Sequence, residues 1–549
     1  MMKRVLIGVL AVTLAFTAGF VTEGSDNYFE ISKNLDIFGK LYREINTYYV
    51  DDPDPNELMR TGIDAMLGTL DPYTNYISEE AASDYEFLTT GSYAGIGALI
   101  GKRGDRLLVM EPYEAYPAQQ AGLKAGDVLL EVAGTKIDGK TMDVSNVRDL
   151  LRGEQGTAVE IVVKRGEEKL SFSVKRGSIH INNVPYYGMI TDEIGYIALT
   201  GFTQDAGLEV EEALKELSRK NDLKGVILDL RDNPGGRLDE AVNVTNVFAD
   251  KDELIVETRG RIATSRRKHF ARKAATDSKI PLAVLVNGKS ASASEIVAGA
   301  IQDLDRGIIV GRRSFGKGLV QNIRPLSYNT QLKVTIAKYY TPSGRCIQAI
   351  NYAERNEDGS VARIPDSLKH AFTTSNGRVV YDGGGIEPDL NINKQTSLTL
   401  VYELDAQGVI FDFATVYAEQ HATIPSPRDF RIDDALYASF VDYVKSQDFT
   451  YVTDAEKKLK SLEEILTEES YAEQLSGSMA ALKRQLEARK DLDLNHHRDV
   501  IAPMLRTEII KRYYFERGAL EGAFLDDVDI LEAVSRLQSK ETYQQMLKP

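Results

Sequence analysis

Three features of this chain predict a multidomain α/β protein: its 549 residues, a block of short apolar runs from about 85 to 176, and a later alternation of apolar runs with helical patterns. The composition agrees, with 43% hydrophobic and 27% charged residues and enough chain for roughly three or four domains. A net charge of −16 argues against nucleic acid as a partner. The divisions expected are 1–22, 26–85, 86–178, 179–395 and 396–549.

The first segment, Met1-Met2-Lys3-Arg4 followed by an uncharged apolar stretch from Val5 to Val21, reads as a secretory signal peptide or a single N-terminal membrane anchor. Its 17 apolar-stretch residues sit at the short edge of a membrane span. Either reading implies export to the cell envelope or periplasm. The single cysteine, Cys346, excludes an intrachain disulfide and provides no thiolate cluster for zinc. From Tyr28 to about Asp84 the spacing of Leu35, Phe38, Leu41 and Ile45, then Leu58, Ile63, Met66 and Leu67, predicts helices broken at Asp51-Asp52-Pro53-Asp54-Pro55.

The next block carries the runs Ala98–Ile100, Leu107–Met110, Val128–Val132, Val159–Val163 and Leu170–Val174, separated by glycine-rich or charged turns, which is a small β-rich module. Between the second and third run lies Pro117-Ala118-Gln119-Gln120-Ala121-Gly122-Leu123-Lys124-Ala125-Gly126-Asp127-Val128-Leu129. This segment resembles a PDZ domain. The resemblance implies that a ligand C-terminus adds as a strand and that the backbone of Gly95-Ile96-Gly97-Ala98 holds its carboxylate. The same loop misses the dinucleotide-binding glycine spacing by one residue.

In the third block, Gly195–Leu199, Val226–Leu230 and Pro281–Val286 alternate with helical patterns at Asp205–Lys220 and Leu238–Phe248, giving an α/β core. The last of these strands runs into Ser290-Ala291-Ser292-Ala293-Ser294-Glu295, which opens a small-residue helix. A serine at such a turn is exposed, and the free N–H groups of the new helix point at any nearby oxyanion. It then requires a base. None of the six histidines lies in a motif-like setting, whereas Lys317, within Phe315-Gly316-Lys317-Gly318-Leu319-Val320-Gln321, follows 25 residues after Ser292. Lys317 can serve only when neutral, so burial must lower its pKa from the usual range near 10.4. Gln321, on the following strand, is placed to orient the amine.

Each piece has a bland counterpart: a capped helix, a solvated loop lysine, a turn. Their conjunction resembles the carboxyl-terminal processing, or tail-specific, serine proteases, on the segment Asn287–Asp303 with Lys317 and Gln321. The resemblance implies a crotonase/ClpP-like core, Ser292 as nucleophile in a Ser-Lys dyad, and no metal or cofactor. It also implies an oxyanion hole from the N–H of Ala293 and a glycine of Asp229-Leu230-Arg231-Asp232-Asn233-Pro234-Gly235-Gly236, with Gly236 favoured over Gly235. Asp71-Pro72-Tyr73-Thr74-Asn75-Tyr76 and Gly385-Ile386-Glu387-Pro388-Asp389 look family-like too, so the resemblance spans about 28–395.

Gly311-Arg312-Arg313-Ser314-Phe315-Gly316-Lys317 fits the first seven positions of a P-loop, but Gly318 stands where Ser or Thr must ligate magnesium, and a strand follows instead of a helix. The basic stretch Arg259–Lys279 reads as a solvated hairpin or loop. The final block is mostly helical, with patterns at Ala455–Leu466, Tyr471–Lys490 and Asp499–Tyr514 and no catalytic constellation. It reads as a packed helical appendage, with homodimerisation or adaptor docking as its other reading. The expected function is an exported serine endopeptidase acting on proteins with a free C-terminus. The alternative from another class is a non-catalytic exported PDZ scaffold with a protease-like core.

Overall fold

The computed structural model describes residues 22–79, 81, 90–355, 361–392 and 399–549. The N-terminal apolar stretch, with its signal or anchor reading, lies outside them. Among the described residues no helix is long and apolar enough to cross a membrane.

Helices α1 (Thr22–Tyr48) and α2 (Pro55–Gly68) are separated at the expected breaker. Asp54 caps α2 by accepting from the N–H groups of Asn56 and Glu57, and Pro55 fills a first-turn position that needs no donor. Helix α1 leaves Tyr28, Phe29, Leu35, Phe38 and Leu41 exposed. Strand β1 (Asn75–Ile77) follows a turn in which Asp71 accepts from the N–H groups of Tyr73 and Thr74 at 2.9 Å each.

The β-rich module contains β2 (Ser92–Gly95), β3 (Ala98–Arg103), β4 (Arg106–Pro112), β5 (Val128–Val132), β6 (Thr135–Lys136), helix α3 (Val144–Leu151), β7 (Ala158–Arg165), β8 (Glu168–Lys175) and β9 (Gly177–His180). The main sheet runs β3-β4-β5-β7-β8, with β6 on β5, while β2 pairs with β9 separately. Alternation along β7 buries Val159, Ile161 and Val163 against Leu107, Val109, Leu129 and Val132, the period-two signal visible in the sequence. Asp127, the aspartate after the Gly126 turn, is buried and is forked by the Arg165 guanidinium at 2.7 Å.

The core sheet is ordered β10-β11-β12-β15-β16-β23. Its strands are β10 (Tyr186–Met189), β11 (Ile194–Ala198), β12 (Gly225–Asp229), β15 (Leu282–Val286), β16 (Ile308–Gly311) and β23 (Leu390–Asn391). β10 is antiparallel to β11 and every other pair is parallel. All residues of β11, β12 and β15 are buried, which explains why these strands read as unbroken apolar runs. One face is covered by α4 (Ala206–Lys220), α5 (Leu238–Phe248) and α6 (Ala293–Asp303).

A second sheet joins β1, β18 (Gln331–Tyr340), β13 (Leu254–Gly260) and β14 (Arg267–Phe270), with β17 (Leu319–Pro325) on β18. The basic stretch is therefore the β13–β14 hairpin. Lys317 precedes a strand, the arrangement that argues against a P-loop. Short pairs β19 (Ile350–Arg355) with β20 (Val361–Arg363) and β21 (Ala371–Thr373) with β22 (Val379–Tyr381) complete this region.

The C-terminal region is helical: α7 (Thr399–Ala406), α8 (Val409–Gln420), α9 (Asp434–Ser446), α10 (Asp454–Glu468), α11 (Ala472–His496), α12 (Arg498–Ala523), α13 (Val528–Gln538) and α14 (Lys540–Met546). α12 is broken at Phe515, whose φ is +55°. Helices α7, α8, α9 and α12 share an apolar core around Phe413, Phe440, Leu505 and Ile509. The last part is more than an appendage. Phe524, Ile530, Ala533, Val534, Leu537 and Tyr543 pack on Ile227, Ala283, Leu285 and Ile308, covering the second face of the core sheet. The Tyr543 hydroxyl accepts from the N–H of Leu282 at 3.0 Å, at the very start of β15.

Candidate active site

The turn between β15 and α6 separates the three serines by environment. Ser290 and Ser294 are 0% exposed, and their hydroxyls donate to the carbonyls of Leu230 at 2.8 Å and Asn233 at 2.9 Å. Ser292 is half-buried, with φ +55° and ψ −109°, a conformation rare and strained for any residue but glycine. Its neighbours over-determine it: the Ala291 N–H donates to the Asn233 carbonyl at 3.1 Å, and the Tyr339 hydroxyl donates to the Ser292 carbonyl at 3.1 Å. The bonds of Ser290 and Ser294 hold the turn and leave the middle hydroxyl to the surface.

Three residues beyond Ser292, Glu295 is 0% exposed and joins two parts of the chain. Oε2 accepts from the N–H of Ser292 and of Lys317, each at 2.9 Å. Oε1 accepts from the Ser314 hydroxyl at 2.5 Å and the Gly316 N–H at 2.7 Å. Burial pushes the carboxyl up to about 7, and the four donors counteract that rise. Serine three positions before glutamate is capping-box spacing, a local signal for the first of these bonds. Nothing local announces the bonds to 314–317.

Lys317 is half-buried, and its Nζ stands 4.2 Å from the centre of the Tyr73 ring, over its face. Burial, reinforced by the charge of Lys333, pulls its pKa down to about 8, while Glu295 and Asp71 oppose the shift. Among the described residues the Lys317 amine makes no hydrogen bond to Ser292 or Gln321. The Gln321 amide nitrogen instead donates to Thr335 Oγ1 at 3.2 Å. Gly316 has φ +91°, and a Cβ there would fall 2.4 Å from that of Ala349, so the loop closes only with glycine.

The loop after β12 lies against the serine turn. A Cβ on Gly235 would approach Ala293 N to 2.8 Å and Ser292 Cβ to 2.9 Å. The Gly235 N–H is engaged by Asn233 Oδ1 at 2.9 Å, and Asn233 Nδ2 is anchored on the Leu199 carbonyl at 2.7 Å. Among the described residues the N–H groups of Gly236 and Ala293 keep no acceptor, unlike that of Gly235. The residues expected as nucleophile, base and oxyanion donors thus belong to turns in mutual contact or linked by Glu295.

The expected carboxylate loop is built within the β-rich module. Ile96 is buried, its carbonyl accepting from Ala118 N at 2.7 Å, and the Gly97 carbonyl accepts from Tyr113 N at 2.9 Å. Gly97 has φ +74°, and a Cβ there would meet Tyr116 Cβ at 2.5 Å. The Tyr93 ring lies across Gly95, close enough that a Cβ would fall 2.7 Å from it, and the Arg152 guanidinium stands 5.3 Å from its centre. Burial raises the Tyr93 phenol, while Arg152 and the backbone of Ala98 and Gly97 oppose the rise.

Comparison with known proteins matches three family models: peptidase family S41 over 193–354, a PDZ domain over 108–165, and the C-terminal helical domain of probable PDZ-proteases over 400–537. The last covers the region that the sequence motifs left unassigned. The carboxy-terminal-processing protease of Bartonella bacilliformis is 38% identical over 357 residues, 64% of this chain and 81% of that relative. A probable CtpA-like serine protease of Staphylococcus aureus is 34% identical over 350 residues, 62% of this chain and 69% of the relative. Among solved structures, the photosystem II D1 C-terminal processing protease is 27% identical and aligns with 65% of this chain and 92% of its own, at a TM-score of 0.36.

Proposed function

Because this chain belongs to the carboxy-terminal-processing proteases, serine-type peptidases of peptidase family S41, we propose that Ser292 and Lys317 form its catalytic dyad. We further propose that its PDZ domain selects protein substrates by their free C-termini. The observation that carries the reading is Glu295: one buried carboxylate accepts from the N–H of Ser292 and of Lys317, at 2.9 Å each, and so joins the two turns.

The chemistry is acyl transfer. The neutral Lys317 amine, swung off the Tyr73 ring, takes the proton of Ser292 as Oγ bonds to the scissile carbonyl carbon. The resulting oxyanion is received by the N–H groups of Ala293 and Gly236, neither of which has another acceptor among the described residues to give up. The Lys317 ammonium then protonates the leaving amine as the C–N bond breaks. Water, deprotonated by the same amine, hydrolyses the acyl-enzyme and restores Ser292. Gln321 would align the lysine once that amine has moved. No step requires a metal. Export rests on Met1–Val21, and the exposed apolar side of α1 supports docking of a second copy or an adaptor.

The test is cleavage of a disordered substrate by Ser292→Ala, Lys317→Ala and the double variant. Each should lose nearly all activity while remaining folded, and the double variant should be no worse than either, because members of one catalytic unit lose most of the rate together. Ser290→Ala and Ser294→Ala should keep the chemistry, at some cost in stability. Wild-type cleavage by Ser292→Ala would remove the assignment and favour a different nucleophile.

A further inference from the structure

The loop that carries Gly235 and Gly236 is held from two sides. On the inner side, Asn233 and the serine turn bind it. On the outer side stands Arg231, five residues before Gly236, with all three guanidinium nitrogens engaged. Nε and Nη2 fork Asp229, at 3.0 and 2.6 Å. Nη1 reaches across to the C-terminal region, to Asp527 Oδ1 and Oδ2 at 2.9 and 2.8 Å and to Asp529 Oδ2 at 3.1 Å.

The two aspartates belong to the start of α13. Asp527 is its N-cap, accepting from the N–H of Asp529 at 3.0 Å and of Ile530 at 3.3 Å. The helix they begin is fixed by its apolar side on Ile227, Ala283 and Leu285, the strands whose ends carry the glycine loop and the serine turn. Gly236 itself lies against Phe202, whose carbonyl accepts from the Arg237 N–H at 2.8 Å, but the start of the loop has open space: a cavity of about 330 Å³, lined by Arg231, Asp232, Asn287 and Asp527 among others, lies beside Arg231. With space beside it, Arg231 is placed by directional bonds, and fork-like contacts to a guanidinium fix geometry as well as energy at the root of the loop.

We propose that Asp527 and Asp529 are positioning residues for catalysis: they hold Arg231, and through it the glycine loop, where the Gly236 N–H meets the oxyanion. The C-terminal helices thereby complete a protease site whose reacting groups all lie more than 200 residues earlier in the chain. This inference rests on the proposed oxyanion role of Gly236. Removing the two carboxylates leaves Arg231 on Asp229, so the loop loosens without the core losing its charge pairing altogether.

The test uses the full chain carrying Asp527→Asn with Asp529→Asn. Measured are kcat and KM on a disordered substrate and the affinity of a peptide boronate, a tetrahedral mimic that fills the oxyanion position. Expected is at least a tenfold loss in kcat, KM within about twofold of wild type, and a loss of boronate affinity that parallels kcat. Asp526→Asn, which breaks the neighbouring 2.6 Å pair with Arg506 instead, should leave kcat within about twofold. If the pair variant does not fold, Asp529→Asn alone, which retains the Asp527 cap, should show the same pattern at smaller amplitude. Wild-type kcat in the aspartate variants, an equal loss in Asp526→Asn, or a kcat loss with unchanged boronate affinity would overturn the inference. Should Ser292→Ala be inactive while the aspartate variants are fully active, only this inference fails; activity in Ser292→Ala would remove the site reading beneath it.

Discussion

Lys317 makes a quantitative demand on the pH dependence of cleavage. With its pKa lowered to about 8, about one molecule in ten carries a neutral amine at pH 7 and about nine in ten at pH 9. The profile of kcat/KM for a fluorogenic peptide should therefore rise about tenfold between those values and then level off. Lys333→Gln removes a nearby cation that helps to depress the amine, so the inflection should move to higher pH; each tenfold change in the amine's proton affinity costs about tenfold in rate at pH 7. The same shift has a stability consequence of definite sign. An amine whose pKa falls from the usual 10.5 to about 8 on folding costs about 3 kcal/mol below pH 8, and that cost fades as pH rises toward 10.5. Lys317→Met should accordingly be inactive yet stabilised in urea by up to about 3 kcal/mol at pH 7, with the gain nearly gone at pH 10.5. A flat rate from pH 6 to 9.5, with chemistry limiting, would refute the lysine base. An inflection that Lys333→Gln leaves in place or moves to lower pH would refute its electrostatic origin.

Three more outcomes can be measured directly. Glu295→Gln places an amide NH₂ against N–H donors, so steady-state kinetics should show kcat falling about 10–100-fold with KM little changed, as expected for the loss of one or two charge-assisted bonds. Tyr93→Phe removes a hydroxyl that the backbone of Gly97 and Ala98 acts upon, so calorimetric titration should show a peptide with a free C-terminus binding about 2–10-fold tighter, while its C-terminally amidated twin gains nothing. Gln321→Ala, whose amide rests on Thr335 in this structure, should lower kcat by far less than Lys317→Ala, within about threefold.

Much of this architecture was legible because the signals are local. Alternation in 159–163, unbroken apolar runs in the core strands and the capped break at Asp54-Pro55 each translate into an element without knowledge of what it touches. The serine turn and the Gly-Lys-Gly loop were legible through a family resemblance. The contacts that order the site were not legible. Glu295 could be read as a helix cap, but its bonds to Gly316 and Lys317 span more than twenty residues. The Arg231 bonds to Asp527 and Asp529 span 296 and 298 residues, and an acidic helix start looks the same in sequence whether it faces water or a buried guanidinium. Likewise, the apolar stripe of α13 could serve a helical bundle or a sheet face. Tyr93 carried no sign that its ring would lie across Gly95, beside the loop expected to take a carboxylate.

The covering of the core sheet by residues 524–543 bears on how the chain acquires activity during synthesis. A ribosome releases β11, β12 and β15 some 250 residues before the helices that seal their second face. Until then Ile227, Ala283 and Leu285 remain an uncovered apolar surface, and a sheet in that condition is prone to non-native association. The second face of the sheet is therefore uncovered while more than two-fifths of the chain has still to emerge. By the same logic, excising the segment to obtain a smaller enzyme would yield an aggregating fragment, since the sheet would lose one of its two covering layers.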